Sequence, residues 1–115
     1  MSFKNKQGIS HIKIKGQFRC YCPLGKAPYT GEYSVHVWTP KRIPDYCDVD
    51  NFIAKKIDYH DLIIEDAVVK ILNFVAKQIR KGEVEVKCKV NDAVHSPVVV
   101  SKWANVEKGK YEVNC

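Results

Sequence analysis

Apolar and polar residues alternate in three segments of the chain, and this two-residue period is typical of strands with one buried face. The first segment spans residues 11–20, and continuing its alternation puts Cys22 on the apolar side. Its apolar face holds Ile12, Ile14, Phe18 and Cys20. Its polar face holds Lys13, Lys15, Gln17 and Arg19. The other two segments are residues 32–39 and 83–90, and a last strand is predicted over residues 97–103.

Two helices are predicted between the second and third strands. Asp48 or Asp50 is expected to open a short helix over residues 48–57. A long helix is expected over residues 60–81, with Asp61 near its start and Gly82 closing it. Its apolar residues recur at helical spacing in a main row and a neighbouring row. These rows contain Ile64, Val68, Ile71, Leu72, Val75 and Ile79, and then Ile63, Ala67 and Phe74.

The order of these elements predicts an α+β fold of type ββααββ, with one antiparallel sheet and both helices on a single face. Residues 22–31 contain two prolines and two glycines, which predicts a long loop inside a hairpin, and residues 91–96 predict a turn. One domain is expected over residues 1–115. Its core would span residues 10–103, with polar tails at both ends. The second face of the sheet would be wet and basic, since it carries Lys13, Lys15, Arg19, Lys87 and Lys89.

Composition narrows the classes of function. The chain has 115 residues and a net charge of +6, which favours an anionic partner, with nucleic acid as the first choice. No apolar run approaches the ~18 residues of a membrane span, so no membrane partner is expected. No apolar segment near the amino terminus suggests a secretory signal, and five cysteines are then expected as reduced thiols in the cytoplasm.

Cys22 admits three interpretations. It is a nucleophile presented on a turn stiffened by Pro23, a buried structural thiol, or part of a metal site. A metal site would draw on the four cysteines Cys20, Cys22, Cys47 and Cys88 together with histidines. The single residue between Cys20 and Cys22 differs from the two to four usual in zinc sites, so no metal is expected.

Glu65 lies among apolar residues, at about the fourth position of the long helix if Asp61 caps it. A carboxylate accepts two parallel hydrogen bonds, which suits a base edge with neighbouring N–H donors. The alternative is a surface charge that interacts favourably with the helix dipole. His60 is an acid–base group or a solvated residue at the helix start.

The order of these motifs resembles the 7-cyano-7-deazaguanine reductase (QueF) family of queuosine synthesis. The motifs are "CP" after the first strand, "EYSVHVWTP", an acidic short helix and "HDLIIEDAV". The chain is similar above all to the short archaeal QueF-like amidotransferases of archaeosine synthesis. The resemblance covers residues 10–103 and implies the tunnelling fold (T-fold), in which such units assemble into homo-oligomeric rings, here a pentamer or a decamer.

The resemblance also implies roles for individual residues. Cys22 would be the nucleophile that adds to the substrate nitrile and forms a thioimide. Glu65 would anchor the purine-like base, with His60 or Asp61 as an additional contact. The basic residues of the sheet (Lys13, Lys15, Arg19, Lys87 and Lys89) would bind tRNA.

Three positions depart from the family pattern. The "ESK" signature linked to NADPH is absent from residues 46–52, so neither hydride transfer nor a cofactor is expected. Tyr29 stands where the family has its proton-carrying aspartate, and Ile64 stands where it has a histidine. The favoured hypothesis is a tRNA-modifying amidotransferase. The alternatives are a non-catalytic T-fold protein that binds a purine-like base or nucleic acid, and a similar sheet of separate ancestry.

Overall fold

The computed structural model, which describes residues 1–91 and 95–110, is built on a four-stranded antiparallel sheet in the order β2-β3-β5-β6. These strands are β2 (His11–Cys22), β3 (Ala27–Trp38), β5 (Gly82–Val90) and β6 (Val98–Val106). Two-residue strands, β1 (Phe3–Lys4) and β4 (Arg42–Ile43), pair with each other beside this sheet. The predicted α+β architecture is confirmed, because both predicted helices follow β4 in the chain and pack against the sheet.

The core lies between the sheet and the long helix α2 (Ile64–Ile79). The main apolar row predicted for this helix is buried, apart from the half-buried Ile64 at its start. The predicted alternation of the strands is confirmed as well, since Phe18 and Cys20 are buried while the lysines of β2 are exposed. Exclusion of these apolar side chains from water is the main force that holds the helices on this face.

Two aromatic rings lie across glycines inside the β2–β3 hairpin. The ring of Phe18 covers Gly31, its partner on β3, and the ring of Tyr33 covers Gly16 on β2. A Cβ atom at Gly31 would lie 2.4 Å from Cζ of Phe18, so no other residue fits beneath the ring without a shift. The two glycines therefore give the large rings room close to the sheet.

The amino-terminal part of the chain differs from the predicted polar tail. Phe3 and Lys4 form β1, and the guanidinium group of Arg42 donates hydrogen bonds to Ser2. The hairpin loop is also shorter than predicted. Cys22 pairs with Ala27, so only residues 23–26 form the connection. Pro28 sits in β3 because its missing N–H is tolerated near the end of a strand.

The first helix begins earlier than predicted. Asp45, rather than Asp48 or Asp50, caps α1 (Tyr46–Phe52) by accepting hydrogen bonds from the backbone N–H groups of Cys47 and Asp48. A π-helical turn, Ile53–Ile57, continues it. Helix α2 begins later than predicted, and its N-cap is Ile63, whose side chain forms no capping hydrogen bond. Asp61 therefore does not cap the long helix.

The ends of α2 and β6 also correct the prediction. Helix α2 ends at Ile79, and Arg80, with a φ of 70°, closes it in place of the predicted Gly82. Gly82 instead begins β5. Strand β6 continues to Val106, so the buried Ala104 and Val106 belong to the sheet rather than to a tail. Residues 92–94 of the predicted turn and residues 111–115 of the predicted tail lie outside the described residues.

Candidate functional site

A cavity lies at the turn end of the β2–β3 hairpin, next to Cys22. The cavity is small and partly open to solvent, and most of its lining is apolar. The side chains around it come from the hairpin, from the start of α2 and from the facing ends of β5 and β6. The lining comprises Cys22, Gly25, Ala27, Pro28, Tyr29, Ile64, Val90, His95 and Val98.

The turn holds the thiol of Cys22 at the rim of this cavity. The backbone N–H of Gly25 donates a hydrogen bond to Sγ of Cys22 at 3.3 Å. Lys26 closes the turn with a φ of 52°, in the left-handed region. The thiol is half-buried, so it is accessible and also fixed in position. The hydrogen bond fixes the direction in which the sulfur points.

The segment that links the two helices forms a short parallel bridge to β2 behind this turn. The N–H of Tyr21 donates to the carbonyl of His60 at 3.0 Å, and the N–H of Leu62 donates to the carbonyl of Tyr21 at 3.1 Å. Two residues earlier on β2, the N–H of Arg19 donates to Oδ1 of Asp58 at 2.8 Å. These bonds cover part of the free edge of β2 and bring the start of α2 to the cavity.

Tyr29 lies in the wall of the cavity and is 5% exposed. Its hydroxyl donates a hydrogen bond of 2.6 Å to the carbonyl of Leu62, which ties β3 to the segment between the helices. Burial, followed by the neighbouring Cys20, raises the pKa of Tyr29 far above its ordinary value. The hydroxyl therefore keeps its proton at neutral pH, and its observed role is to hold the wall in place.

His95 was overlooked as a residue of this site, since the sequence suggested it only as one of several metal ligands. It lines the same cavity as Cys22. Its Nδ1 lies 2.7 Å from the carbonyl oxygen of Ser96. A carbonyl only accepts hydrogen bonds, so Nδ1 carries the proton and Nε2 of the neutral ring has a free lone pair. Such a nitrogen can accept a proton from a thiol or return one to a nitrogen.

The other predicted site residues lie near the cavity without lining it. Among the described residues, Ile64 reaches the cavity wall, whereas its neighbour Glu65, the second residue of α2, is exposed. Asp61 and His60 are exposed too, and Nδ1 of His60 donates to the carbonyl of Asp58 at 2.9 Å. One chain alone therefore does not place Glu65 in the cavity of Cys22.

Two further cysteines, Cys20 and Cys88, are buried in the core. Sγ of Cys20 donates to the carbonyl of Ile57 at 3.0 Å, and burial raises the pKa of this thiol. Burial also raises the pKa of Cys88 to about 12. Both are neutral thiols at pH 7, as expected of structural cysteines. Across residues 1–91 and 95–110, no three His, Cys, Asp or Glu side chains come together as a metal site.

The sheet face that carries no helix presents the predicted basic residues. Lys15 on β2 lies opposite Lys87 on β5 across Ser34, with Lys13 and Lys89 in the neighbouring rows. These four lysines line one shallow groove, together with Glu32 of β3. Arg19 is exposed on the same face of β2, farther along the strand. In the described part of the chain, no helix has the length and hydropathy needed to cross a membrane.

Comparison with known proteins supports the fold. No protein-family model matches the chain, and no curated protein matches its sequence. Among solved structures, the chain is similar to the crystal structure of the archaeosine synthase QueF-Like in the apo form. The TM-score is 0.66 and the sequence identity is 19%, over 83% of this chain and 93% of that chain. The likeness confirms the predicted fold, and at this identity it is evidence for the fold alone.

Proposed function

We propose that this protein is a QueF-like tRNA-modifying amidotransferase, in which Cys22 attacks the nitrile of a 7-cyano-7-deazaguanine base. The observation that carries the proposal is the cavity at the hairpin turn, where a half-buried, hydrogen-bonded thiol and His95 face the same apolar space. The shared fold with an archaeosine synthase QueF-Like agrees with it.

The chemistry follows in two balanced steps. The sulfur of Cys22 forms a bond to the nitrile carbon, and the thiol proton passes to the nitrile nitrogen, which gives a thioimide. Ammonia then adds to the same carbon, the C–S bond breaks, and the sulfur regains a proton as a formamidine leaves. We assign the proton transfers to Nε2 of His95, because its other ring nitrogen is held by Ser96. Tyr29 is unsuited to this role, since its hydroxyl is bonded to Leu62.

Glu65 is proposed to anchor the base by accepting hydrogen bonds from its ring N–H and exocyclic amine, with His60 or Asp61 beside it. Because Glu65 does not line the Cys22 cavity of its own chain, the pairing requires a second subunit. Leu24, at the tip of the turn, is 79% exposed and gives such a subunit an apolar contact next to the cavity. The free edge of β6 offers another contact, and a closed ring of five subunits, or two such rings, would use both.

The basic sheet residues are proposed to contact the phosphates of tRNA. The sheet face without helices carries more positive than negative side chains, although Glu32, Glu83 and Glu85 share it. Its exposed cations are Lys13, Lys15, Arg19, Lys87 and Lys89. Clustered cations release counterions from nucleic acid, which makes binding sensitive to salt. The proposed substrate is therefore a base that already belongs to tRNA.

The test is intact-mass measurement after incubation with 7-cyano-7-deazaguanine, and then with tRNA carrying that base plus ammonia. The proposal predicts an adduct on the wild type, none on Cys22→Ala, and an unchanged adduct on Cys47→Ala, whose exposed thiol lies in α1. His95→Ala is expected to slow adduct formation roughly 100-fold or more, as for loss of a general acid–base group. An equal adduct on Cys22→Ala would refute the assignment.

A second function, binding of a purine-like base or nucleic acid without catalysis, is favoured by one observation. Tyr29 occupies the place of the expected aspartate, and its hydroxyl is already bonded to Leu62. A protein of this kind would bind the base or tRNA, yet form no adduct and release no formamidine with either substrate. The experiment above therefore separates the two functions.

A further inference from the structure

Three flat rings form a contiguous cluster on the open face of the sheet, at the end of the hairpin away from Cys22. His11 pairs with Trp38 across β2 and β3, and His36 lies two residues before Trp38 on the same face. The ring centroids of His36 and Trp38 are 5.6 Å apart and nearly parallel, at 15°. His11 lies 5.1 Å from His36 and 5.5 Å from Trp38. We call these three residues the ring cluster.

The ring cluster is ordered by its own contacts, although it faces solvent. Nε2 of His11 and Nδ1 of His36 are 2.9 Å apart, so one nitrogen donates a proton and the other accepts it. Burial, followed by His11 and Lys13, lowers the pKa of His36, while Glu85 acts in the opposite sense. His36 is thus a neutral ring at pH 7. His11 remains exposed, and His36 and Trp38 are half-buried.

The lysines of the open face begin directly beside the ring cluster. Lys13 pairs with His36 on one side, while Glu83 and Glu85 of β5 pair with Trp38 and His36 on the other. One row farther along, Lys15 and Lys87 flank Ser34 from the two neighbouring strands. Alternate residues of a strand are roughly 7 Å apart, so successive lysines on one strand are separated by about that distance as they lead away from the rings. Flat rings next to a track of cations are what proteins use to bind single-stranded nucleic acid, because rings stack on bases and cations bind phosphates.

We propose that the open face binds single-stranded RNA, with an unpaired base stacked on the ring cluster and the adjoining phosphates on Lys13, Lys15, Lys87 and Lys89. The inference rests on the proposed function only in taking RNA as the carrier of the substrate. A duplex is a poorer partner, because its bases are already stacked on each other and hide their faces. An acidic peptide would satisfy the lysines and leave the rings without a partner.

The experiment measures binding of a fluorescent ten-nucleotide RNA and of a matched hairpin duplex at several salt concentrations. The proposal predicts tighter binding of the single strand. His11→Ala and Trp38→Ala are each expected to weaken that binding by roughly 5- to 150-fold, the range for loss of one stacking contact. Tyr46→Ala removes an exposed ring from α1 and is expected to leave binding unchanged. His11 is exposed, so its variant keeps the test valid if Trp38→Ala unfolds.

Lysine variants separate phosphate contacts from stacking. Lys15→Ala and Lys87→Ala are each expected to reduce the slope of log Kd against log salt by about one, and Lys70→Ala on α2 leaves it unchanged. Unchanged RNA binding by a folded His11→Ala variant would overturn the inference. Equal affinity for the duplex, or equal competition by polyglutamate, would overturn it as well.

The result is independent of the chemistry at Cys22. Failure of the wild type to form an adduct with the nitrile base counts against the proposed function and leaves RNA stacking intact. Loss of the stacking effect in a protein that still forms the adduct counts against the ring cluster alone.

Discussion

The two ends of the β2–β3 hairpin meet different surroundings, although they belong to one pair of 12-residue strands. At the turn end, Cys22 faces a small apolar cavity. At the other end, His11 and Trp38 lie on the open face, and the lysine groove begins one row away at Lys13. The ends are roughly 35 Å apart at 3.3 Å per residue. The hairpin thus keeps a site suited to a small group apart from a surface suited to a long anion.

The largest predicted effect comes from disrupting the hairpin between its two ends. Gly31→Ala would place a Cβ atom 2.4 Å from Cζ of Phe18, a contact that forces the ring or the strand to move. Overpacking of this kind costs about 1–3 kcal/mol of the free energy of unfolding. Urea denaturation measures it, with Ser34→Ala as the control on the open face of the same strand. Equal stability of the two variants would contradict the packing described.

A core thiol and an exposed thiol should differ in how they affect the pH dependence of stability. Unfolded cysteine loses its proton near pH 8.5, whereas burial raises the pKa of Cys88 to about 12. Between these two pKa values the unfolded state binds fewer protons than the folded state. The free energy of unfolding therefore falls as pH rises, by at most about 1.4 kcal/mol per pH unit. Urea unfolding between pH 7 and 11 should show a smaller fall for Cys88→Ala than for wild type. Cys47→Ala should follow the wild type, and parallel profiles for all three would disprove the effect.

A smaller loss is predicted for Tyr29→Phe at the turn end. The variant keeps the ring and removes only the hydroxyl that donates to the carbonyl of Leu62. A net hydrogen bond contributes about 0.5–1.5 kcal/mol, and the loss should appear in thermal or urea unfolding. Tyr46→Phe, whose ring is 50% exposed on α1, is the matched control. If Tyr29→Phe is as stable as Tyr46→Phe, the bond does not hold the cavity wall.

The smallest effect is expected at the ring end, in the titration of His36. NMR should place its pKa below 6.5, because burial and then the positive groups His11 and Lys13 disfavour the charged ring. Lys13→Ala should raise this pKa, and Glu85→Gln should lower it further, since Glu85 favours the charged ring. Shifts in the same direction for both variants would contradict the electrostatics of the open face.

The alternation of β2 and the apolar row of α2 could be predicted because each depends on a local period that burial imposes. The ring cluster could not be predicted, because it depends on the register in which β2 and β3 pair. The hairpin was expected to have a long loop, and only the short turn that pairs Cys22 with Ala27 sets His11 opposite Trp38. Once that turn is known, the odd positions of β2 and the even positions of β3 share one face.

The cavity was only partly predictable for a similar reason. Cys22 was identified from its motif and its place in the alternation, but Tyr29 and His95 join it through pairing between distant segments. The bridge from Tyr21 to Asp61 is a backbone interaction that no side-chain pattern records. The assignment of Glu65 to the same site remains a prediction, because it depends on a second subunit.

The central claim is that the Cys22 cavity receives the nitrile base, and site-resolved alkylation tests it most directly. Wild-type protein is treated with iodoacetamide at increasing concentrations of 7-cyano-7-deazaguanine, and modification of Cys22 and Cys47 is measured by peptide mass spectrometry. The base is expected to protect Cys22 in proportion to its occupancy, while Cys47 continues to react at its original rate. Unchanged alkylation of Cys22 at saturating base, or equal protection of both thiols, would contradict it.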